Sequence, residues 1–440
     1  MHVQCASITT IRRGVAMKSY LTMTREDLVR EKYELSEEYD RLKARELSLD
    51  MSRGKPGADQ LDLSVDMIDK FNSSISLKDG NNFDLRNYGL PDGTNESREL
   101  FASLFDVPSS NVIVGGNSSL NMMFDVISQL ISHGAPGGVP WSKLPKVKFL
   151  CPCPGYDRHF SICEYFGIEM IPVEMNDDGP DMKEIEKYLT DEAVKGMWCV
   201  PKYSNPDGIT YSDKVVRKIA NLKPKANDFR VMWDNSYAVH HLSDTSDTLA
   251  NIFEYCNQSG NDDMVIAFAS TSKITFPGSG IAAVAASPAN IGWLRKRISI
   301  QTIGPDKLNQ LMHTNTFKNA EDIDAHMEKH AEILKPKFKA VLDALEEISK
   351  ICTWRVPNGG YFVSVNTLNG CAKRVEELCG DAGVKLTPAG ATFPYGKDEK
   401  DKNIRIAPTF PPVKELEQAM ELFCLCVKIA TVEKMLNKLS

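Results

Sequence analysis

Between residues 111 and 286 the chain repeats one pattern, an apolar strand, a polar loop and a helix, and this repeat constrains the fold most. In the first unit the strand at 112–114 precedes a Gly-Gly turn, and apolar residues from Leu120 to Ile131 recur at helical spacing. Such alternation implies an α/β fold with a mainly parallel sheet covered on both faces. Further strands are predicted near 147–151, 169–173, 196–200, 231–233, 264–269 and 281–286, with helices after Asp157 and near 181–189 and 213–222.

The pattern changes after about residue 320, which indicates a second domain. A chain of 440 residues also exceeds the ~250–300 residues that one hydrophobic core usually serves. A helical stretch at 321–350 is followed by predicted short strands near 353–365 and 403–407 and by a final helix from about Val413. We therefore predict an N-terminal arm and part of the small domain at 1–65, a large domain at 66–320 and a small α+β domain at 321–440.

Composition excludes several classes of function. No stretch approaches the ~20 apolar residues that span a bilayer, so we expect a soluble protein without membrane attachment. The 52 basic and 59 acidic residues give a net charge of -7, which argues against a nucleic-acid partner and favours small-molecule chemistry. The 11 cysteines have neither redox nor zinc spacing. We read them as reduced thiols of a cytoplasmic protein without a metal site.

The first 16 residues contain Arg12 and Arg13 but no apolar run of a secretory signal. The segment is basic and free of acidic residues, yet it is too short for a convincing amphipathic helix. We therefore do not expect a transit peptide, and Met17 or Met23 could equally be the natural start.

Four polar segments follow four predicted strands, where ligands bind in sheets of this kind. The first, with Gly116, Asn117 and Ser118, precedes a helix whose free N-H groups and dipole favour an anion. By itself, a Gly-Gly turn is more often an ordinary strand-to-helix connection. The segments are 115–119 (Gly-Gly-Asn-Ser-Ser), 205–208 (Asn-Pro-Asp-Gly), 234–237 (Asp-Asn-Ser-Tyr) and 270–273 (Ser-Thr-Ser-Lys).

Two of these segments carry a reactive residue type. Lys273 follows an apolar strand, where desolvation would lower its pKa and free the amine to form an imine, although most single lysines are solvated. Asp234 ends a predicted buried strand and so needs a cationic partner, for which a protonated pyridine nitrogen is suitable. A helix-capping role for Asp234 is an equally common alternative.

Taken together, and followed by Asn-Ile-Arg-Ile at 403–406, these segments resemble those of the fold-type I, class I aminotransferases, which are pyridoxal-phosphate enzymes. The resemblance extends from about residue 30 to 436. It is closest to a bacterial aspartate aminotransferase subgroup with Ser-Arg-Gly-Lys-Pro, here at 52–56. It implies a three-layer sandwich around a mainly parallel seven-stranded sheet, with a smaller α+β domain.

The same resemblance implies a role for each residue around the cofactor, pyridoxal 5'-phosphate. Lys273 would be the Schiff-base lysine and the proton shuttle, and Asp234 would pair with the pyridine nitrogen. Asn205 and Tyr237 would hydrogen-bond the phenolic oxygen, and Tyr156 would stack on the ring, unless it is a simple core aromatic.

For the phosphate group, the resemblance implies Gly116, Asn117, Ser118, Ser270 and Ser272, together with Tyr88 from the partner subunit of a homodimer. One position departs from the family. Ile281 stands eight residues after the lysine, where much of the family has an arginine that contacts the phosphate. The phosphate charge must therefore be balanced by other groups.

At the substrate end, the resemblance makes Arg405 the bidentate clamp on the α-carboxylate, with Gly54 and Arg53 also in the substrate site. A surface arginine is the alternative reading of Arg405. A distal carboxylate would need a second cation, and Arg53, Lys55 and Arg158 remain open candidates.

The expected reaction is ping-pong exchange of an amino group between an amino acid and a 2-oxo acid, with aspartate and 2-oxoglutarate favoured. Two alternatives remain open. The same fold serves carbon-sulfur lyases and decarboxylases, and it also serves ligand sensors fused to DNA-binding modules, although no basic recognition helix precedes Arg53.

Two histidines and one charged helix are interpreted as structural, and two further histidines are left open. His326 and His330 have metal-ligand spacing, but the neighbouring charges predict a solvated helix face. The alternating charges at 335–350 likewise predict an exposed face. His240 and His241 could line a pocket or pack in the core.

Overall fold

The computed structural model describes residues 20–439. The expectations about a targeting segment and a start at Met17 fall outside these described residues. The helices are α1 Arg25–Lys43, α2 Ala58–Asp62, α3 Asp66–Lys70, α4 Asn95–Phe105, α5 Ser119–His133, α6 Asp157–Tyr165, α7 Met182–Tyr188, α8 Asp213–Ala220, α9 Ile252–Ser259, α10 Pro288–Gln301, α11 Lys307–Thr316, α12 Ala320–Leu345, α13 Ala372–Asp381 and α14 Val413–Lys438.

The strands form three sheets. The strands are β1 Leu49–Asp50, β2 Val112–Gly115, β3 Lys148–Cys153, β4 Glu169–Asn176, β5 Gly179–Pro180, β6 Val194–Cys199, β7 Arg230–Asp234, β8 Val265–Ser270, β9 Ala282–Ala286, β10 Thr353–Trp354, β11 Val363–Asn366, β12 Val384–Lys385 and β13 Asn403–Ile406. The largest sheet has the order β2-β9-β8-β7-β6-β3-β4-β5, and β10-β11-β13 and β1-β12 form the other two.

The large sheet is mixed, with a parallel centre. Strands β4, β3, β6, β7 and β8 pair in parallel, while β9 runs antiparallel to both β2 and β8, and β5 is antiparallel to β4. The mainly parallel sheet is thus confirmed. The count of seven strands was wrong by one, because the two-residue β5 adds an eighth at the edge.

Helices cover both faces of this sheet, as predicted. Along β7, Val231 and Trp233 belong to one apolar cluster and Met232 to another, and Val112, Ile113 and Val114 alternate in the same way. Successive strand side chains point to opposite faces, so a strand that is apolar throughout is buried on both. The helices begin where side chains cap free N-H groups, as Ser118 does for Leu120 and Ser212 for Val215.

A third apolar cluster links the first and last helices of the described residues. It contains residues of α1, α12 and α14 together with β11 and β13, and also Val200, Tyr203, Tyr237 and Leu242 from loops beside the large sheet. The clusters that flank the large sheet draw on residues 101–294. The division near residues 65 and 320 remains a prediction. Within residues 20–439 no helix is long and apolar enough to cross a bilayer.

The interpretation of His326 and His330 as a solvated helix face was wrong. Both lie on the inner face of α12, and His330 is only 1% exposed. Each places its Nε2 against the carbonyl oxygen of Ile274, at 2.9 Å for His326 and 3.0 Å for His330. The described residues contain no group of three or more side chains that could hold a metal ion.

The charged stretch at 335–350 is exposed only in part. Lys335 and Lys339 are solvated, but Lys337 is buried, and its Nζ donates to the carbonyl of Thr409 at 3.0 Å. Lys337 also lies 3.1 Å from Asp59. The sequence did not reveal this inward lysine because its partners lie in distant segments.

The buried His330 predicts acid sensitivity. Burial lowers its pKa to about 4, so below the ordinary value near 6.5 the unfolded chain binds a proton that the folded chain does not. Stability then falls as the pH drops from 6.5 toward 4, by about 2 kcal/mol between pH 7 and 5 for this one group. Urea unfolding of the cofactor-free protein at both pH values would measure the loss. His330→Gln should lose less stability on acidification, and an unchanged pH dependence in that variant would contradict the assignment.

Candidate active site

The four polar segments meet at one edge of the large sheet. They follow β2, β6, β7 and β8, whose carboxyl ends point the same way because β2 is antiparallel to β9 and β9 to β8. The hydroxyl of Ser272 donates to the carbonyl of Asn117 at 3.1 Å, which joins the last segment to the first. The sequence-predicted clustering of these loops is therefore present.

The loop after β2 is an open cradle at the start of a long helix. Gly116 has φ +56, a backbone conformation that favours glycine, and a Cβ at Gly115 or Gly116 would meet nothing within 4 Å. Ser118 caps α5 by accepting from the N-H of Leu120 at 3.2 Å. An anion in this space would face the positive end of a 15-residue helix.

Hydroxyl groups of the loop after β8 line the same cradle. Ser270 donates to Ser272 at 3.1 Å, and the Asn117 amide lies 3.5 Å from the carbonyl of Pro277. Ile281 is buried in the apolar core behind the loop, with its N-H donated to Thr271 Oγ1 at 2.9 Å. That position therefore offers no cation to an anion in the cradle, in agreement with the departure noted from the sequence.

Lys273 points its amine toward aromatic rings rather than toward a carboxylate. Its Nζ lies 5.0 Å from the centroid of the Tyr237 ring and 6.0 Å from that of Tyr361. Burial lowers the pKa of Lys273 below its usual range, and the negative charge of Asp234 opposes this shift only in part. A larger fraction of the amine is therefore unprotonated and nucleophilic than in a solvated lysine.

Asp234 is the last residue of β7 and is only 3% exposed. Its Oδ2 lies 3.0 Å from His159 Nε2, and Ser236 donates its hydroxyl to Oδ1. The His159 ring is stacked on Trp198 with centroids 4.2 Å apart, and it meets the Tyr156 ring edge-on at 4.9 Å. Sequence reasoning missed His159, whose only signal was its place one helical turn after Tyr156.

Arg405 and Asn205 come together from sequence positions 200 residues apart. Arg405 Nη1 donates to Asn205 Oδ1 at 3.1 Å and to Asp157 Oδ1 at 3.0 Å. The guanidinium also lies 4.8 Å from the centroid of the Phe362 ring. A Cβ on Gly54 would stand 2.4 Å from that ring, so the backbone can approach only as glycine. Asp157 and Phe362 were not anticipated from the sequence.

Other predicted site residues lie apart from this cluster in the single chain. Tyr88 is 77% exposed, and Arg53 and Arg158 are exposed as well. Lys55 instead places its ammonium 3.7 Å from the centroid of the Phe410 ring. Within residues 20–439 none of these side chains forms a hydrogen bond or an ion pair with the cradle or with Lys273.

The sequence left the roles of His240 and His241 undecided, and the structure places both among packing contacts. His240 is buried and meets the rings of Tyr237 and Tyr361 edge-on at 5.6 and 5.5 Å. Burial and the charge of Lys273 hold its pKa well below the usual range, so it is a neutral packing residue. His241 Nδ1 lies 2.7 Å from Tyr203 Oη.

These residues fit a phosphorylated pyridine aldehyde. The glycine cradle and the hydroxyls at the start of α5 suit a phosphate, and the buried carboxylate of Asp234 suits a cationic ring nitrogen. The amine of Lys273 suits imine formation. Fold and site together define the class of fold-type I pyridoxal-phosphate-dependent enzymes.

Comparison with known proteins gives the family. The model of the family described as aspartate amino-transferase matches residues 23–439, and the chain belongs to that family. An aspartate aminotransferase of Corynebacterium glutamicum is 44% identical over 408 residues, which cover 92% of this chain and 94% of that protein.

Solved structures agree with this placement. The crystal structure of an aspartate transaminase from Corynebacterium glutamicum has a TM-score of 0.92 at 43% identity, with 95% of this chain and 99% of that chain covered. The α-aminoadipate aminotransferase of Thermus thermophilus, solved in complex with N-(5'-phosphopyridoxyl)-L-leucine, has a TM-score of 0.70 over 90% of this chain and 96% of that one. At 19% identity the latter match shows the fold alone.

Proposed function

We propose that the protein is a pyridoxal-phosphate-dependent aminotransferase that exchanges the amino group of aspartate with 2-oxoglutarate by a ping-pong route. The observation that carries the proposal is the amine of Lys273, whose pKa burial lowers at the edge of a cradle suited to phosphate. Aspartate is favoured because the 44% identical relative from Corynebacterium glutamicum is an aspartate aminotransferase.

The residues of the site would then have distinct tasks at the cofactor. When bound, pyridoxal phosphate supplies an electron sink that stabilises negative charge at the substrate's α-carbon. Lys273 would be the covalent attachment point of the cofactor and, when free, the base that moves the proton at the substrate's α-carbon. Asp234, which contacts His159 and Ser236, would pair with the ring nitrogen and favour its protonated form.

Other side chains orient the ring and hold its phosphate. Asn205 and Tyr237 would hydrogen-bond its phenolic oxygen, and Tyr156 would cover one face of the ring. Neutral donors would hold the phosphate, and the buried Ile281 would contribute no charge to it. These donors are Gly116, Asn117, Ser118, Ser270 and Ser272.

We further propose that the enzyme acts as a cytoplasmic homodimer. Tyr88 is 77% exposed, and within residues 20–439 its side chain forms no hydrogen bond or ion pair with the site, which is expected of a side chain that serves the partner's phosphate. Equilibrium sedimentation would test the dimer. A monomer with full activity would reject the role of Tyr88.

Steady-state assays with a panel of amino donors and 2-oxo acids test the reaction. Aspartate with 2-oxoglutarate should give the highest kcat/KM, with glutamate and oxaloacetate as products. Activity confined to alanine or aromatic donors would reject aspartate as the substrate. Release of ammonia and pyruvate without a new amino acid would instead indicate a carbon-sulfur lyase.

Arg405→Lys should weaken the grip on the α-carboxylate while leaving the positive charge in place. Lysine cannot form two parallel hydrogen bonds, so kcat/KM should fall by about 10²-fold, a loss near 3 kcal/mol. Kinetics with aspartate would measure the loss. Arg355→Lys, at an exposed ion pair with Asp177, is the matched control and should be neutral. An Arg405→Lys enzyme with unchanged kcat/KM would show that the carboxylate binds elsewhere.

A further inference from the structure

A buried amide stands behind the loop of Lys273. Gln60 lies on α2, is 0% exposed, and accepts the N-H of Gly57 through Oε1 at 3.2 Å. That bond identifies the other amide atom as the nitrogen. Gln60 Nε2 then donates one hydrogen to Tyr361 Oη and one to His330 Nδ1, each at 3.0 Å. All hydrogen-bonding groups of this amide face a partner.

These bonds fix the direction of the next two. Tyr361 Oη accepts from Gln60, so its own hydrogen is free for the carbonyl of Lys273 at 3.3 Å. His330 Nδ1 accepts, so its Nε2 carries the hydrogen and donates it to the carbonyl of Ile274 at 3.0 Å. Two consecutive carbonyls, one of them belonging to Lys273, are therefore held by one connected set of side chains.

The main chain matters here because little else orients the lysine. Within residues 20–439 Lys273 Nζ forms no hydrogen bond or ion pair, and its side chain is placed by packing beside Tyr237 and Tyr361. Because no polar contact fixes this flexible four-carbon side chain, the position of the amine depends on the position of the Lys273 main chain. Buried polar networks of this kind are rigid when every member is satisfied and costly when one is lost.

The same network extends to the substrate end of the site. Gln60 follows the segment 52–57, in which Gly54 touches the Phe362 ring. Phe362 in turn lies against Arg405 with 4.8 Å between guanidinium and ring centroid. Tyr361 and Phe362 are adjacent in the sequence. The first contacts the carbonyl of Lys273, and the second packs against the guanidinium of Arg405.

We propose that Gln60, Tyr361 and His330 are positioning residues that fix the main chain of Lys273 and couple its placement to segment 52–57 and Arg405. This inference rests on the proposed function for the importance of Lys273, but the coupling itself is a property of the chain. Removing a member should change the reactivity of one amine without removing any group that touches the substrate.

The test compares Tyr361→Phe and Gln60→Leu with Tyr39→Phe, which removes a buried hydroxyl that donates to the carbonyl of Leu378 at 2.8 Å. In the cofactor-free protein, competitive labelling with acetic anhydride across a pH series, read by mass spectrometry, reports the reactivity of Lys273 alone. Both network variants should change the labelling rate at position 273 by about three-fold or more, and Tyr39→Phe should not.

Kinetics of the holoenzyme supply the second readout. Both network variants should lower kcat by about five- to fifty-fold, the loss expected for one buried hydrogen bond, with the KM for aspartate within about two-fold of the original value. If Gln60→Leu does not fold, Tyr361→Phe decides, because it removes a single oxygen atom.

The outcomes separate this inference from the proposed function. Variants that match Tyr39→Phe in both labelling and kcat would overturn the positioning role while transamination stands. Altered labelling in a protein that does not transaminate would support the network and reject the proposed reaction. Lower kcat with unchanged labelling of Lys273 would also overturn the positioning role, because the effect would then act elsewhere.

Discussion

Lys273→Ala is expected to abolish amino-group transfer. The variant lacks both the covalent attachment point and the proton carrier, and loss of general acid-base catalysis alone lowers kcat on the order of 10²–10⁴-fold. The fold should persist, because the amine makes no hydrogen bond or ion pair within residues 20–439. Absorbance spectra with pyridoxal phosphate, before and after borohydride reduction, would show whether the cofactor still attaches covalently.

Lys339→Ala is the matched control for this experiment. Lys339 is exposed on α12 and pairs with Asp343 at 2.6 Å, so its loss should change neither the spectrum nor the rate. Peptide mapping of the reduced wild-type enzyme should find the cofactor on residue 273. Covalent label on another lysine, or full turnover by Lys273→Ala, would refute the proposed role.

Asp234→Asn should lower kcat on the order of 10²–10⁴-fold, the effect of losing about 3–5 kcal/mol from a buried charge pair. Asparagine has nearly the same shape and can still meet His159 and Ser236, so the structure around it should be kept. It cannot hold the ring nitrogen in its protonated state. Single-turnover kinetics with aspartate would isolate the step at the α-carbon from product release.

The control for Asp234 is Asp213→Asn on the surface, where the carboxylate pairs with Arg217 at 2.9 Å. Its kcat should stay within about two-fold of the original, as expected for an exposed pair. Cofactor binding should weaken less than turnover in Asp234→Asn, since the cradle for the phosphate is untouched. Equal kcat in both variants would place the ring nitrogen's partner elsewhere.

Much of the fold and the site loops could be predicted because local patterns carry that information. Apolar runs at 112–114, 231–233 and 264–269 are buried on both sheet faces, and polar loops after them meet at one edge because parallel strands share a direction. The order of these loops also carried the resemblance that implied the fold-type I class. The conformation and the burial of a strand depend mainly on its own residues, so both can be predicted from a short stretch of sequence.

Relations between distant segments could not be predicted in the same way. The alternation of elements predicts strands but not their neighbours, so the antiparallel insertion of β9 between β2 and β8 was not anticipated. Its reason is local geometry: no helix lies between Ser270 and Ala282 to carry a parallel crossover.

Burial of polar residues was the second source of error. His330 and Lys337 stand among charged neighbours on α12, which favoured a solvated face. Their partners, the carbonyls of Ile274 and Thr409, lie 56 and 72 residues away. The sequence pattern of one helix gives no information about such distant partners. The contact between Asp157 and Arg405 could not be predicted for the same reason, because the two residues are 248 positions apart.

The ion pair between Asp157 and Arg405 has a consequence for turnover. If Arg405 binds the α-carboxylate, an incoming amino acid meets a guanidinium whose Nη1 already contacts the carboxylate of Asp157, so its charge is partly neutralised before the substrate arrives. The electrostatic gain on binding is then smaller than it would be for an unpaired guanidinium. In each ping-pong cycle two acids enter this site and two different acids leave it. An arginine that keeps an anionic neighbour after each product leaves is never exposed as an unpaired buried cation.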